Sequence, residues 1–349
     1  MRKNMKEVVI FGAGRRVQSH IIPAVINCND SLVLSSIYAR KKRFISIHNK
    51  EYQVDVINKS STSNLQNAEM IIICVSQESV PSVLSHLLEN NCADKQIFID
   101  TPVFSGKNIR NYGLIAEFKH IFVLEDWLAL NKFDLATSLI RSGKIGKVSK
   151  ICFFHSGYRH HAVAIARRWT GARVIRSINH KKYSSNFNEF YFKDDSGVIS
   201  WILEPRDYEY GSFLIMGELG TISDYALDTE NHYFIDTKVV NNKLVTSIKY
   251  DNKKDKLGAY FVDLEAEIPV SGMNAMDVMK IDALTKMLRS ESNIGANELR
   301  YPVLDALYDK LLIDCSMRWG RFYDISFRNI GFIKFVISRL ICLKKWKEK

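Results

Sequence analysis

The sequence predicts an α/β protein of two domains: a parallel sheet first, then an α+β domain with an antiparallel or mixed sheet. Three observations carry this. The chain has 349 residues, and at about 150 residues per domain that length holds two real cores. The first hundred residues alternate short apolar runs with helical spacing. Beyond Trp127 that rhythm gives way to strand-like segments bounded by Gly, Asn or Asp.

Val8-Val9-Ile10-Phe11 reads as a buried parallel strand, because it is short, branched and closed by glycine. A helical stretch follows over Gln18 to Asn27. A second strand, Leu32 to Tyr38, runs into the basic segment Arg40-Lys41-Lys42-Arg43. Met70 to Val75 is a third strand. Val80, Val83, Leu84, Leu87 and Leu88 then recur at helical spacing before another strand at Gln96 to Ile99. Strand, helix, strand in that order implies a parallel sheet with right-handed crossovers. In the second half, Phe133 to Ser142 is a helix that stops at Gly143. Strands are expected at Val148 to Phe154, Glu189 to Phe192, Gly197 to Leu203, Ser212 to Met216 and Asn242 to Tyr250, and helices near Ala275 to Arg289 and Pro302 to Met317. Asp194-Asp195-Ser196-Gly197 is read as a hairpin turn. The units expected are residues 1–124, 125–325 and a tail, 326–349.

Composition narrows the function classes. Hydrophobic residues make up 46% and charged residues 25%, the balance of a globular chain. The six cysteines are scattered without a C-x-x-C pair, which points to reduced thiols in a cytoplasm and to no metal site. Met1 to Glu7 is basic, but only Val8 to Phe11 is apolar before glycines intervene, so no signal peptide is expected. No apolar run approaches the roughly 18 residues of a spanning helix. The last 22 residues, from Arg328, carry a net +6 of the chain's +11, so a nucleic-acid partner is not expected for the rest. Residues 328–349 mix apolar, aromatic and basic side chains. They read either as peripheral contact with an anionic membrane or as packing on the chain's own domain or a partner subunit.

Gly12-Ala13-Gly14-Arg15-Arg16-Val17 directly follows the first strand and opens the first helix. The first glycine permits a tight turn, the second lets the backbone approach a pyrophosphate, and the free N–H groups of the helix start bind phosphate. Val17 takes the place of the third glycine, so helix-on-strand packing there is expected to be looser or shifted. An NAD site offers an acid after the second strand for the ribose 2′-OH. Here Ala39-Arg40-Lys41 and Arg43 stand there with no acid nearby, and an arginine fork suits a 2′-phosphate. NADP is therefore preferred to NAD. The alternative is a solvated basic loop. The candidate cofactor contacts are Gly12, Ala13, Gly14, Arg15, Arg16, Ala39, Arg40 and Lys41, with Val75, Ser76 and Pro102 beyond the next two strands.

With those residues in hand, the chain resembles the Gfo/Idh/MocA oxidoreductase family from Val8 to about Trp319. The carriers are the glycine loop, the stretch Met70 to Val103, Glu125-Asp126-Trp127, Ser142-Gly143-Lys144-Ile145-Gly146-Lys147-Val148 and Gly217-Glu218-Leu219-Gly220-Thr221-Ile222. The resemblance implies a Rossmann domain, a second domain with a large open sheet serving substrate and oligomer contacts, a homo-oligomer, and hydride chemistry on sugar-like alcohols. It implies that the family's Glu-Lys-Pro becomes Asp100-Thr101-Pro102, and that His161 falls on the catalytic histidine while Gly157 stands at the aspartate. His161, Asp100 and Thr101 are thus the candidate catalytic residues. His161 is a general acid/base or a plain helix-start residue; Asp100 either keeps the nicotinamide-side role or caps the turn; Thr101 lacks a hydroxyl pKa suited to proton transfer. Tyr158, Arg159 and Lys181 lie nearby and are read as ordinary surface or packing, with a proton or anion contact as the alternative. Arg167-Arg168 is read as a solvated helix face, with anion recognition as the alternative. Two functions follow: an NADP-dependent oxidoreductase on a sugar or nucleotide sugar, with surface-polysaccharide synthesis as a setting, or a member that binds dinucleotide without turnover as a sensor or scaffold. A membrane-docked assembly partner defined by the tail is a third.

Overall fold

The computed structural model describes residues 5–47, 49–57, 62–103, 111, 113–155, 158–172, 175–184, 187–204, 211–240, 243–251, 263–267, 273–290, 301–319 and 321–323. The tail 326–349 and Gly157 lie outside the described residues.

The first half runs β1 (Lys6–Phe11), a π-helical segment Val17–Ile21 continuing into α1 (Ile22–Asn27), β2 (Leu32–Ala39), β3 (Arg43–Ile47), β4 (Lys50–Val56), α2 (Thr62–Asn67), β5 (Met70–Ile73), α3 (Val80–Glu89), β6 (Gln96–Asp100), α4 (Gly113–Ala116) and β7 (His120–Leu124). Their sheet has the order β7-β6-β5-β1-β2-β4-β3, parallel except for the edge hairpin β3–β4. Val8 to Phe11 and Met70 to Ile73 are fully buried, as strands covered on both faces must be. The third strand ends at Ile73 rather than Val75, and the β3–β4 hairpin lies in a stretch where no element is expected from the sequence.

The second half runs through a 3₁₀ turn (Asp126–Ala129), α5 (Asn131–Arg141), β8 (Val148–Phe154), α6 (Arg159–Thr170), β9 (Ile175–Lys182), β10 (Asn188–Asp194), β11 (Ile199–Glu204), β12 (Ser212–Gly217), β13 (Thr221–Ser223), β14 (His232–Val240), β15 (Lys243–Asp251), β16 (Asp263–Glu267), α7 (Ala275–Ser290), β17 (Tyr301–Pro302), α8 (Val303–Trp319) and β18 (Arg321–Tyr323). Ten of these strands form one largely antiparallel sheet, β16-β15-β14-β13-β12-β8-β11-β10-β9-β18. The hairpin turn at Asp194 is present: its carboxylate accepts from Ser196 N, Ser196 Oγ and Val198 N. The two glycine motifs after α5 and β12 meet each other. A Cβ on Gly217 would stand 2.2 Å from the Ile145 carbonyl oxygen, while Leu219 N and Glu218 N donate to Ile145 and Lys147.

The halves interlock. β17 adds an antiparallel edge to the first sheet beside β7. α7 lies on α1, where His20 meets Asp277 at 2.8 Å and Arg289 donates to the Asn27 carbonyl. No helix among the described residues is long and apolar enough to cross a membrane.

Candidate active site

The glycine loop is built as its spacing predicts. Gly12 sits at φ 124°, in the region open to glycine, and a Cβ there would lie 2.0 Å from the Cys74 carbonyl oxygen. Gly12 N donates to Tyr38 and Cys74 N donates to Phe11, which draws the ends of β2 and β5 against the loop. At Gly14 a Cβ would meet no atom within 4 Å, so the outer side of the loop is open. Where Val17 replaces the third glycine, the helix widens into its π segment, a shift of the kind that π-bulges accommodate at functional sites. Backbone N–H groups of the loop and helix start fit a pyrophosphate.

Arg16 does not serve that loop with its side chain. Its guanidinium turns inward to Asp126 at 2.7 Å and Asp100 at 3.4 Å, so only its backbone remains with the candidate cofactor contacts. Arg15 is exposed on the loop, Ala39 ends β2, and Arg40 and Lys41 are exposed beyond it. Arg43, at the start of β3, donates to the Ala13 carbonyl, which also accepts from Gln18 at 2.8 Å. The basic run thus reaches the glycine loop through Arg43. Val75 and Ser76 follow β5, with Ser76 Oγ 2.9 Å from Ser79 Oγ.

Asp100 closes β6 and is followed by a cis Thr101–Pro102 bond. Its carboxylate accepts from Cys74 Sγ at 3.2 Å as well as from Arg16. Burial and Asp100 together push the Cys74 thiol far above its usual range, so it is inert as a thiolate.

His161, on α6, is held from two sides. Its Nδ1 lies 2.5 Å from Glu125 Oε1, and its ring stacks on Trp127 at 5.0 Å. Trp127 in turn stacks on Phe133, which packs on Phe153 and Trp169, so an aromatic pile rising from the sheet fixes the imidazole. Glu125 is fully buried, and its Oε2 has no hydrogen-bond partner among the described residues. Burial, with the Asp126 and Asp100 carboxylates alongside, pushes the Glu125 carboxyl well above the usual carboxylate range. Asp126, fully buried too, goes the other way because Arg16 and His161 offset its burial. Glu125, Asp126 and His161 offer ligand atoms within 4.8 Å of one another, but the Arg16 guanidinium already occupies Asp126, and that positive charge disfavours a metal ion there.

A small cavity of about 20 Å³, room for about one water, is lined by Thr101, Pro102, Glu125, His160 and Lys310. A larger one, of about 210 Å³, shares His160 and Lys310 with it and extends to Tyr158, Arg159 and Glu204. It is therefore His160 that lines both cavities, while His161 is bonded to Glu125. Burial and the neighbouring His161 hold His160 neutral, well below the ordinary histidine range. Tyr158 stacks along His160, so it belongs to the site rather than to bare surface. Arg159 is spent on Glu204, at 2.6 and 2.9 Å; Lys181, on β9, is exposed. The reading of Arg167-Arg168 as a solvated face is corrected. Arg167 is buried against Asp309 at 2.6 Å and Arg168 pairs with Asp134 at 2.8 Å, because α6 is covered by α5 and α8 and each cation there needs a carboxylate.

Sequence reasoning missed Glu125 and Asp126 as chemistry. The available signal was two adjacent acids inside the apolar run Val123 to Leu130, where burying charge is costly unless it has work to do.

No protein-family model matches the chain, and none of the curated proteins matches it. Solved structures do. An oxidoreductase from Agrobacterium radiobacter, in complex with NAD+, L-tartaric acid and magnesium, is 10% identical with a TM-score of 0.64, over 92% of this chain and 98% of that one. Apo scyllo-inositol dehydrogenase from Lactobacillus casei is 12% identical with a TM-score of 0.59, over 93% and 99%. The transcriptional regulator Gal80p from Kluyveromyces lactis is 12% identical with a TM-score of 0.62, over 91% and 94%. This chain has the two-domain fold of the Gfo/Idh/MocA-type oxidoreductases.

Proposed function

We propose that the chain is a nicotinamide-dinucleotide-dependent oxidoreductase that moves a hydride between NADP and a hydroxyl or ketone carbon of a sugar or nucleotide sugar. The observation that carries the reading is a common end of the first sheet. The glycine loop follows β1, Asp100-Thr101-Pro102 follows β6 and Glu125 follows β7, so all three stand at the carboxyl ends of parallel strands, where open α/β sheets bind ligands. A bound nicotinamide supplies the hydride acceptor or donor. Neutral His160 accepts the hydroxyl proton during oxidation, and protonated Glu125 donates a hydrogen bond to the reacting oxygen. His161 acts through Glu125 and is a positioning residue. The preference for NADP is supported by the basic run, with Arg43 at the glycine loop and no acid after β2.

The test is a titration with NADPH and NADH, following energy transfer from tryptophan, and then a screen of polyols, hexoses and nucleotide sugars with NADP+. Tight NADPH binding with turnover is expected. Binding of neither nucleotide overturns the reading. A second reading, a dinucleotide-binding regulator, is favoured by the fold shared with Gal80p and by the uncharged Thr101 and Gly157; NADPH binding without turnover of any compound would select it.

A further inference from the structure

Two cations line the second cleft, Arg159 and Lys310, and they differ in how they are held. Arg159 meets Glu204 through both its side chain and its backbone N–H, and Glu204 is buried. Lys310, on α8, lines both cavities. Its carboxylate partner is Asp314, one turn along the same helix at 2.6 Å, with both side chains a quarter to a third exposed. An exposed pair of that kind is weak and exchangeable. The other acids of the first cavity are engaged elsewhere: Asp309 accepts from Arg167 and Tyr301, and Glu125 bonds His161. Thr101, also in the lining, has a hydroxyl and no charge. Among the described residues, the cleft therefore contains one exchangeable ammonium, beside an imidazole held neutral and a carboxyl oxygen without a hydrogen-bond partner.

We propose that Lys310 is a catalytic residue of the cleft, its ammonium leaving Asp314 to hydrogen-bond the reacting oxygen of the substrate between His160 and Glu125. The inference rests on the oxidoreductase reading above. In oxidation, the substrate C–H bond breaks and the hydride, with both electrons, goes to C4 of the oxidised nicotinamide. The O–H proton passes to His160, and the C–O bond becomes a carbonyl. Lys310 gains and loses no proton; it offsets the negative charge that develops on the oxygen, the largest single contribution such a group can make. Neutral Lys310→Met keeps the helix, since methionine and lysine have similar helix propensities.

The experiment uses the full chain with NADP+ and a panel of myo-inositol, D-glucose and UDP-glucose. Lys310→Met is expected to lower kcat/KM by about 100-fold, mostly in kcat, with NADPH affinity and the thermal midpoint unchanged. Lys310→Arg is expected to recover about tenfold of that loss, since the charge returns with a different fork geometry. Asp314→Asn is expected to lower KM about twofold by releasing the ammonium. Equal kcat/KM for Lys310→Met and wild type would overturn the assignment and leave the oxidoreductase reading standing. If the wild-type protein binds NADPH but turns over none of the panel, the oxidoreductase reading fails and the role of Lys310 falls with it.

Discussion

The glycine loop and the cavity beside Thr101 stand at the same end of the first sheet, yet they are made in different ways. The loop is a backbone device: one short stretch, Gly12 to Arg16, placed by β1 and drawn against β2 and β5 by two main-chain hydrogen bonds. The cleft is a side-chain device, assembled from Thr101 and Glu125, just beyond β6 and β7, and from His160 and Lys310 on α6 and α8. A backbone site depends on what is left out at one position, whereas a side-chain site depends on which polar groups remain uncommitted after everything else has packed. Substitutions should therefore fail in different ways in the two regions.

The largest effect is expected at Gly12. Gly12→Val puts a branched side chain where even a Cβ would overlap the Cys74 carbonyl. It should abolish NADPH binding in the fluorescence titration and cost about 3 kcal/mol or more in urea unfolding. Retained binding would break the picture of a backbone-determined crevice. Arg16→Met comes next. It strands Asp126 without its cation, and losing one partner of a buried pair costs about 3 kcal/mol, readable as a lower urea midpoint. Here the loss should appear in stability with the cofactor absent, which separates Arg16 from a phosphate ligand.

The cleft answers to pH. Because the folded state keeps a proton on Glu125 that the unfolded chain releases above about pH 4.5, stability falls as pH rises from there through the raised folded value. Glu125→Gln should flatten that decline in unfolding midpoints measured across pH; an unchanged slope would mean that the carboxyl is not held protonated. His160 acts with the opposite sign. Its neutral folded form loses stability as pH falls below 6.5, and His160→Asn should remove that acid-side loss. The smallest effect is expected at Arg43. Arg43→Ala should narrow the preference for NADPH over NADH about fivefold, and equal narrowing by Arg40→Ala would move the 2′-phosphate contact to the end of β2.

Much of the first region was legible. The buried runs at Val8 and Met70 and the glycine loop announce themselves over a few residues. The widened helix start after Arg16 fits the expected shift at Val17. Beyond the loop, side-chain assignments fared differently. Arg16 was read as a cofactor contact, and its guanidinium is spent on Asp126 and Asp100. His161 was picked out by resemblance, and it lies one residue from the histidine that lines the cleft. Nothing in the spacing of α8 distinguishes Lys310 from any other lysine on an amphipathic helix, since its i,i+4 partner Asp314 is the pattern of an ordinary surface pair.

By itself the sequence determined the parallel half, the glycine loop and the run of strands that becomes the second sheet, because sterics, turn geometry and periodic burial act over a few neighbouring residues. Only the tertiary structure decided which charges are spent and which are available. Arg16, Arg167 and Arg168 are committed to Asp126, Asp309 and Asp134, while Glu125, His160 and Lys310 converge on one cleft. The physical reason is that desolvation and the reach of a partner depend on what packs against each group from distant parts of the chain.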